Sequence, residues 1–217
     1  MLPRNHRNAG FSLIELVVIL AVIAVFAAIA VPNYLRWQAD EQVKAGARAI
    51  SDALLLARSE AIRTGNNHLV IFDSALSAPT PIAVIDDGPQ ATANCTIDAG
   101  ELLHSATLEG DTTFGTVGAG TTLAPDDEGN LPASVPTGSS FSDGGGANPA
   151  TWVLFQNDGL PRTFSNAGGV CSAIGPAADG GGAFYVSNGN RDYAVVLRPL
   201  GTARVHRWQG PTNGWSN

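Results

Sequence analysis

Gly10-Phe11-Ser12-Leu13-Ile14-Glu15-Leu16 opens an apolar run that continues to Val31 and is broken by a single carboxylate, Glu15. From Phe11 to Val31 there are 21 residues, about 31 Å as an α-helix, which matches the hydrocarbon core of a bilayer. An ionised carboxylate in such a helix costs a few kcal/mol and needs a partner. A countercharge held at contact distance in low dielectric supplies one. Ahead of the run lies a ten-residue leader with Arg4, His6 and Arg7, ending at Gly10. Two plainer readings compete. A secretory signal could be cut after Ala28-Ile29-Ala30, or the run could be a simple uncleaved anchor. The run exceeds the roughly 7–15 apolar residues of a secretory signal, and Glu15 sits inside it.

The basic leader, Gly10, Phe11, Glu15 and Pro32 together resemble the class III signal of type IV pilins and type II secretion pseudopilins. The resemblance implies cleavage between Gly10 and Phe11 by a prepilin peptidase and N-methylation of Phe11. It implies that Glu15 meets the N-terminal amine of a neighbouring pilin or pseudopilin, and that the helix bends or locally melts at Pro32. It also implies a single pass through inner-membrane lipid, a periplasmic C-terminal domain, and later residence in a pilus or pseudopilus.

Composition sets the class of the remainder. Charged residues make up 14% of the chain, and 25 Gly with 13 Pro favour a loop-rich β domain. Net charge is −7, and loss of Arg4 and Arg7 with the leader would take the side chains to −9. From Thr64 to Pro161 there are twelve Asp and Glu and no Lys or Arg, whereas Arg191, Arg198, Arg204 and Arg207 crowd the C-terminus. That balance argues against a general nucleic-acid coat and leaves a local basic edge open. Cys95 and Cys171, an even count in an exported domain, are compatible with one disulfide.

Between Leu35 and Arg63 the pattern is helical. Val43, Ala47, Ile50, Leu54, Ala57 and Ala61 form one apolar stripe, which needs a sheet to cover it. Asp40 with Lys44, Arg48 with Asp52, and Glu60 with Arg63 are spaced to pair, and Gly65 is a C-terminal stop. Strands are expected at His68–Asp73, Pro81–Asp86, Leu102–Leu108, Thr112–Val117, Trp152–Phe155, Ala183–Ser187, Tyr193–Leu197 and Ala203–Trp208. Residues 118–148 read as a long, acidic, Gly/Ser/Pro-rich surface loop, poorly ordered or responsive to a partner.

Leu56-Ala57-Arg58-Ser59-Glu60-Ala61, Phe155 with Gly159, Tyr185 to Ser187, Arg191 to Val196, Gly201 and Arg204-Val205 are similar to the GspH/FimT domain of minor pilins and the H-type minor pseudopilin. The expected fold is therefore α+β and pilin-like, a long bent N-terminal helix packed on a β-rich domain. Residues 1–10 are the leader, 11–31 the transmembrane half of the helix and 32–64 its amphipathic half. Residues 65–217 form the domain, with the acidic loop near 118–150. The expected function is non-catalytic: a minor pilin that initiates or caps a type IV pilus among minor and major pilins. A tip pseudopilin of a type II secretion system, or a DNA-binding minor pilin, are the alternatives. No catalytic constellation, cofactor fingerprint or metal-ligand spacing stands out, and the triplet Asp126-Asp127-Glu128 reads as a solvated loop more readily than as a calcium site. In the last strand, Arg204, His206 and Trp208 share one face, with Val205 and Arg207 on the other. Arg191, Arg198, Arg204, Arg207 and Trp208 are the candidates for nucleic-acid or partner contact. The resemblance to FimT-type minor pilins implies an arginine-containing motif after a glycine for DNA binding. Here Thr202 and Ala203 follow Gly201, so the arginine spacing departs from it. The net acidity also opposes DNA, and pairing of these arginines with the acidic middle is the plainer alternative.

Overall fold

Mostly helix-forming residues make a single element, α1 (Leu13–Thr64), 52 residues long in spite of Pro32 and Gly46 inside it. The computed structural model describes residues 12–72, 80–89, 92–129, 131–142, 149–165, 172–176 and 181–216. The chain divides into two units, Met1–Gln38 and Ala39–Asn217. In the first, the apolar side chains of α1 are exposed, with Leu13 at 80% and Phe26 at 68%. This stretch is long and apolar enough to cross a membrane, and that much contiguous apolar surface needs lipid or other helices to cover it.

In the second unit the same helix is amphipathic. The expected stripe from Val43 to Ala61 is buried, joined by Gly46 and Ala53. Small residues on this face let neighbouring chain approach closely: a Cβ added at Gly46 would stand 3.1 Å from Leu108 Cδ2. Gly65, at φ +78°, closes the helix by donating its N–H to the Ala61 carbonyl at 2.9 Å.

Two antiparallel sheets receive the stripe. The first contains β1 (His68–Phe72), β2 (Ile82–Asp86), β3 (Leu102–Ala106), β5 (Trp152–Phe155), β6 (Pro161–Ser165) and β7 (Ser172–Pro176), in the order β3-β2-β1-β5-β6-β7. The second contains β4 (Thr113–Phe114), β8 (Gly182–Ser187), β9 (Asp192–Leu197), β10 (Ala203–Trp208) and β11 (Trp215–Ser216), in the order β11-β10-β9-β8-β4. Val70, Phe72 and Phe155 from the first sheet and Phe184, Val195 and Leu197 from the second meet the helix in one core. Phe72 and Phe184 join the sheets directly, with ring centroids 4.0 Å apart.

Both sheets are also covered on their outer faces, so β1, β8 and β9 are buried along their whole length instead of alternating. On the first sheet, Leu69, Ile71, Ile85 and Leu154 pack with Ala93 and Cys95. On the second, Ala183, Tyr185, Ala194 and Val196 pack with Ala124 and Val135.

The segment expected as a surface loop supplies this second cover. It holds a short 3-10 helix (Pro132–Thr137), and residues 138–140 hydrogen-bond along β8 through Tyr185 N–H to Gly138 O at 2.8 Å and Ser140 N–H to Ala183 O at 3.0 Å. Phe141 then enters the central core, where Gly182 makes room for its ring; a Cβ there would lie 2.5 Å from Phe141 Cδ1. The strand expected at Thr112–Val117 shrinks to two residues, because the chain leaves the sheet at Gly115, φ +118°. Strands β6, β7 and β11 were not anticipated; β6 begins with the proline that a strand tolerates at its first position.

Candidate functional site

Glu15 lies in the first turn of α1 and is exposed. There the unpaired N–H groups favour a negative charge. Gly10 and Phe11 lie outside the described residues. The helix assignment runs through Pro32 without a break, although proline supplies no N–H to the carbonyl four residues back.

A second cluster ties α1 to two distant turns. Arg58 donates from Nε to the Gly159 carbonyl at 3.1 Å and from Nη1 to the Gly201 carbonyl at 3.2 Å. Both glycines have positive φ, +69° and +77°. A Cβ at Gly159 would fall 2.5 Å from Ile62 Cδ1, and one at Gly201 would fall 2.8 Å from the Gly159 oxygen. Only glycine satisfies both the backbone conformation and the close approach. The helix segment around Arg58 and the glycines of two later turns, separate in sequence, thus meet at one point.

The C-terminal arginines do not form one basic face. Arg191 pairs with Asp40 of α1 at 3.1 Å. Arg198 pairs closely with Asp126, and Arg204 lies 3.8 Å from the same carboxylate. The Arg198 hydrogen bond, together with the nearby guanidinium charges, holds the Asp126 carboxyl below its usual range. The expected alternation of β10 holds: Arg204 opposes Val196 and His206 opposes Ala194, whereas Val205 opposes Val195 and Arg207 opposes Tyr193. Arg204 and Arg207 therefore point to opposite sides of the sheet. Trp208 packs edge-on against Trp215, centroids 5.3 Å apart. His206 is buried without a protein hydrogen-bond partner at either ring nitrogen, and desolvation lowers its pKa.

Carboxylates of β9 and of the acidic middle anchor loops to strands. Asp192 accepts the N–H groups of Val117 at 3.1 Å and Ala119 at 2.7 Å, and the Ser187 hydroxyl at 2.6 Å. Buried Asp127 accepts from the Gly129 N–H and the Ser140 hydroxyl, each at 2.8 Å, and from the Tyr185 hydroxyl. Burial first, then the Asp127 charge, pushes the Tyr185 phenol far up. Within the triplet Asp126-Asp127-Glu128, the first two carboxylates thus have separate structural partners. On the other sheet, Asp87 accepts the N–H groups of Asn94 and Cys95, both at 3.1 Å, while desolvation raises its pKa. Cys95 is buried and disulfide-bonded; Cys171 lies outside the described residues.

Of the helix pairs expected from spacing, Glu60 with Arg63 forms. Asp40 turns to Arg191, and Lys44 is 3.5 Å from Glu41 instead. Among the described residues Arg48 has no ion pair, with Asp52 or any other acid. Sequence spacing gave no hint that Arg191, in the turn between β8 and β9 and 151 residues away, competes for Asp40.

Comparison with known proteins bears on the N-terminal segment. The prokaryotic N-terminal methylation motif matches residues 5–31. The type IV major pilin protein PilA of Myxococcus xanthus (strain DK1622) is 54% identical over 35 residues, which is 16% of this chain and 16% of that protein. The chain thus shares about a sixth of the length of that relative. No solved structure matches the chain. The methylation motif and the PilA match support a type IV pilin-like protein, and the long apolar helix with its antiparallel β-rich domain is consistent with a pilin-like α+β fold.

Proposed function

We propose that this protein is a non-catalytic filament subunit, a minor pilin of the GspH/FimT type that helps to initiate or cap a type IV pilus. In this reading a prepilin peptidase removes residues 1–10, Phe11 becomes the methylated N-terminus, and the chain anchors in the inner membrane with residues 39–217 in the periplasm. Glu15 then takes the Phe11 amine of an adjacent subunit as its countercharge, and Pro32 is where the helix yields on assembly. The observation that most favours the minor type is the Arg58–Gly159–Gly201 junction, since three residues carrying the GspH/FimT resemblance converge there. Cys171 is the only other cysteine of the chain, and we assign it as the partner of Cys95.

Membership of a type II secretion pseudopilus uses the same chemistry and is separated from the pilus reading by the companions. Co-purification from membranes with identification of the bound subunits, joined to N-terminal sequencing of the mature chain, tests both. Pilus minor subunits and an N-methylated Phe11 are the expected results. A mature chain starting elsewhere overturns the reading, and companions from a secretion system move it to the alternative. Of the arginines a DNA-binding role would use, Arg191, Arg198 and Arg204 are already paired with Asp40 and Asp126, which leaves Arg207.

A further inference from the structure

In the unit Ala39–Asn217 most cations are engaged. Arg58 is spent on two carbonyls, Arg63 on Glu60, Arg162 on Asp158, Arg191 on Asp40, and Arg198 with Arg204 on Asp126. Among the described residues, Arg48 and Arg207 have no carboxylate within ion-pair distance, and Lys44 has only Glu41 at 3.5 Å. These three residues line one cavity of about 310 Å³ between α1 and β10, with Tyr193 and Val205 in its wall. Tyr193 and Arg207 are register partners across β9 and β10. Three positive groups drawn from two elements would repel one another if nothing negative sat between them. In a protein this acidic, chance placement of the least-engaged cations around one cavity is a poor explanation.

We propose that this cavity is a docking site for carboxylate side chains of an acidic segment on a neighbouring subunit. Two guanidinium forks suit the planar carboxylate, and a lysine beside them adds a mobile point charge. Nearby on α1, four residues before Lys44, Asp40 already pairs with Arg191 at 3.1 Å. Subunits of this composition can supply the partner chemistry: residues 64–161 of this chain carry twelve acids and no base, and Asp98, Glu109 and Asp111 among them are exposed. The assignment of the acid to a neighbouring subunit rests on the filament reading above, whereas affinity for carboxylates does not.

The test uses the full-length protein in detergent micelles and a fluorescent hexaglutamate peptide as probe, with hexaglutamine as its neutral control. Hexaglutamate should bind at low salt, and the double variant Arg48→Gln/Arg207→Gln should weaken binding about tenfold or more. Arg36→Gln, which removes a charge in the other unit, should leave it unchanged. The thermal midpoint should not fall, because both substituted side chains are exposed and unpaired. Absence of hexaglutamate binding, or equal binding by the double variant, overturns the proposal. So does displacement of the peptide by inorganic phosphate, anionic vesicles or duplex DNA at lower anion concentration than free glutamate peptide. Processing at Phe11 is read separately by N-terminal sequencing, so failure of the docking site and failure of the filament reading give different results.

Discussion

The two halves of α1 have the same backbone conformation and opposite surroundings. From Leu13 to Leu35 the large apolar side chains are exposed on every side of the helix, whereas from Val43 to Ala61 a narrow stripe of mostly small residues is fully buried. An all-round apolar helix seeks lipid or other helices, and a striped one seeks a sheet. The contrast teaches that apolar content locates a helix, but its angular distribution decides what the helix is for. Charge follows the same division. Glu15 in the first half has no countercharge among the described residues, and Glu60 in the second is paired with Arg63.

The largest difference between the halves is expected for these two acids. Glu15→Gln should lower recovery of the protein in a sheared filament fraction by tenfold or more, on the order of 1.4 kcal/mol per decade. Glu60→Gln, at a solvent-screened helix pair, should leave recovery intact. Equal recovery for Glu15→Gln and wild type would break the comparison.

Next comes packing. Leu54 is 1% exposed and Leu20 is 56% exposed. Leu54→Ala should lower domain stability by about 2–5 kcal/mol in denaturant titration, and Leu20→Ala by no more than about 0.5 kcal/mol. Comparable losses would mean that the first half is also part of the folded core.

The junction that fastens the second half should respond more modestly. Gly201→Ala must place a Cβ 2.8 Å from the Gly159 carbonyl at φ +77°, which should cost about 1–3 kcal/mol by thermal melting. Gly210, at φ +103° with open space around its Cβ position, carries only the conformational part of that penalty and should lose less.

The smallest effect is a pH dependence in the second unit. Burial places the folded pKa of His206 below its ordinary 6.5, so the unfolded chain takes up the proton first. Stability is therefore full above about pH 6.5 and falls as pH drops through the lower folded value. Asp126, Arg204 and Arg198 are the charged groups that act on it. The thermal midpoint should decline between pH 7.5 and 5, and His206→Leu should flatten that decline. An unchanged slope in the variant assigns the acid sensitivity to other groups.

Much of this was legible because short-range periodicity is written directly into the chain. The stripe on α1, the stop at Gly65, the hairpin of β8 and β9, and the alternation along β10 each follow from residues within one or two turns of one another. The acidic middle misled for a definite reason. Its Gly, Ser, Pro and Asp content signals irregular backbone, but irregular backbone is not the same as exposed backbone. Asp127, Ser139, Ser140 and Phe141 are buried because Tyr185 and β8 offer them hydrogen bonds and apolar cover, and those partners lie some forty or more residues downstream. The fate of the C-terminal arginines was hidden in the same way: a cluster in sequence became two arginines sharing Asp126, one paired with Asp40 and one facing the cavity.

From residues alone follow the long apolar run, its lone acid and the amphipathic continuation, since each depends only on length, charge and helical repeat. Folding in three dimensions alone decided which carboxylate meets which arginine, that a glycine-rich stretch covers the outer face of a sheet, and that Arg58 joins two glycine turns. Those outcomes rest on competition among distant groups for the same hydrogen bonds and ion pairs, and no local pattern ranks such competitors.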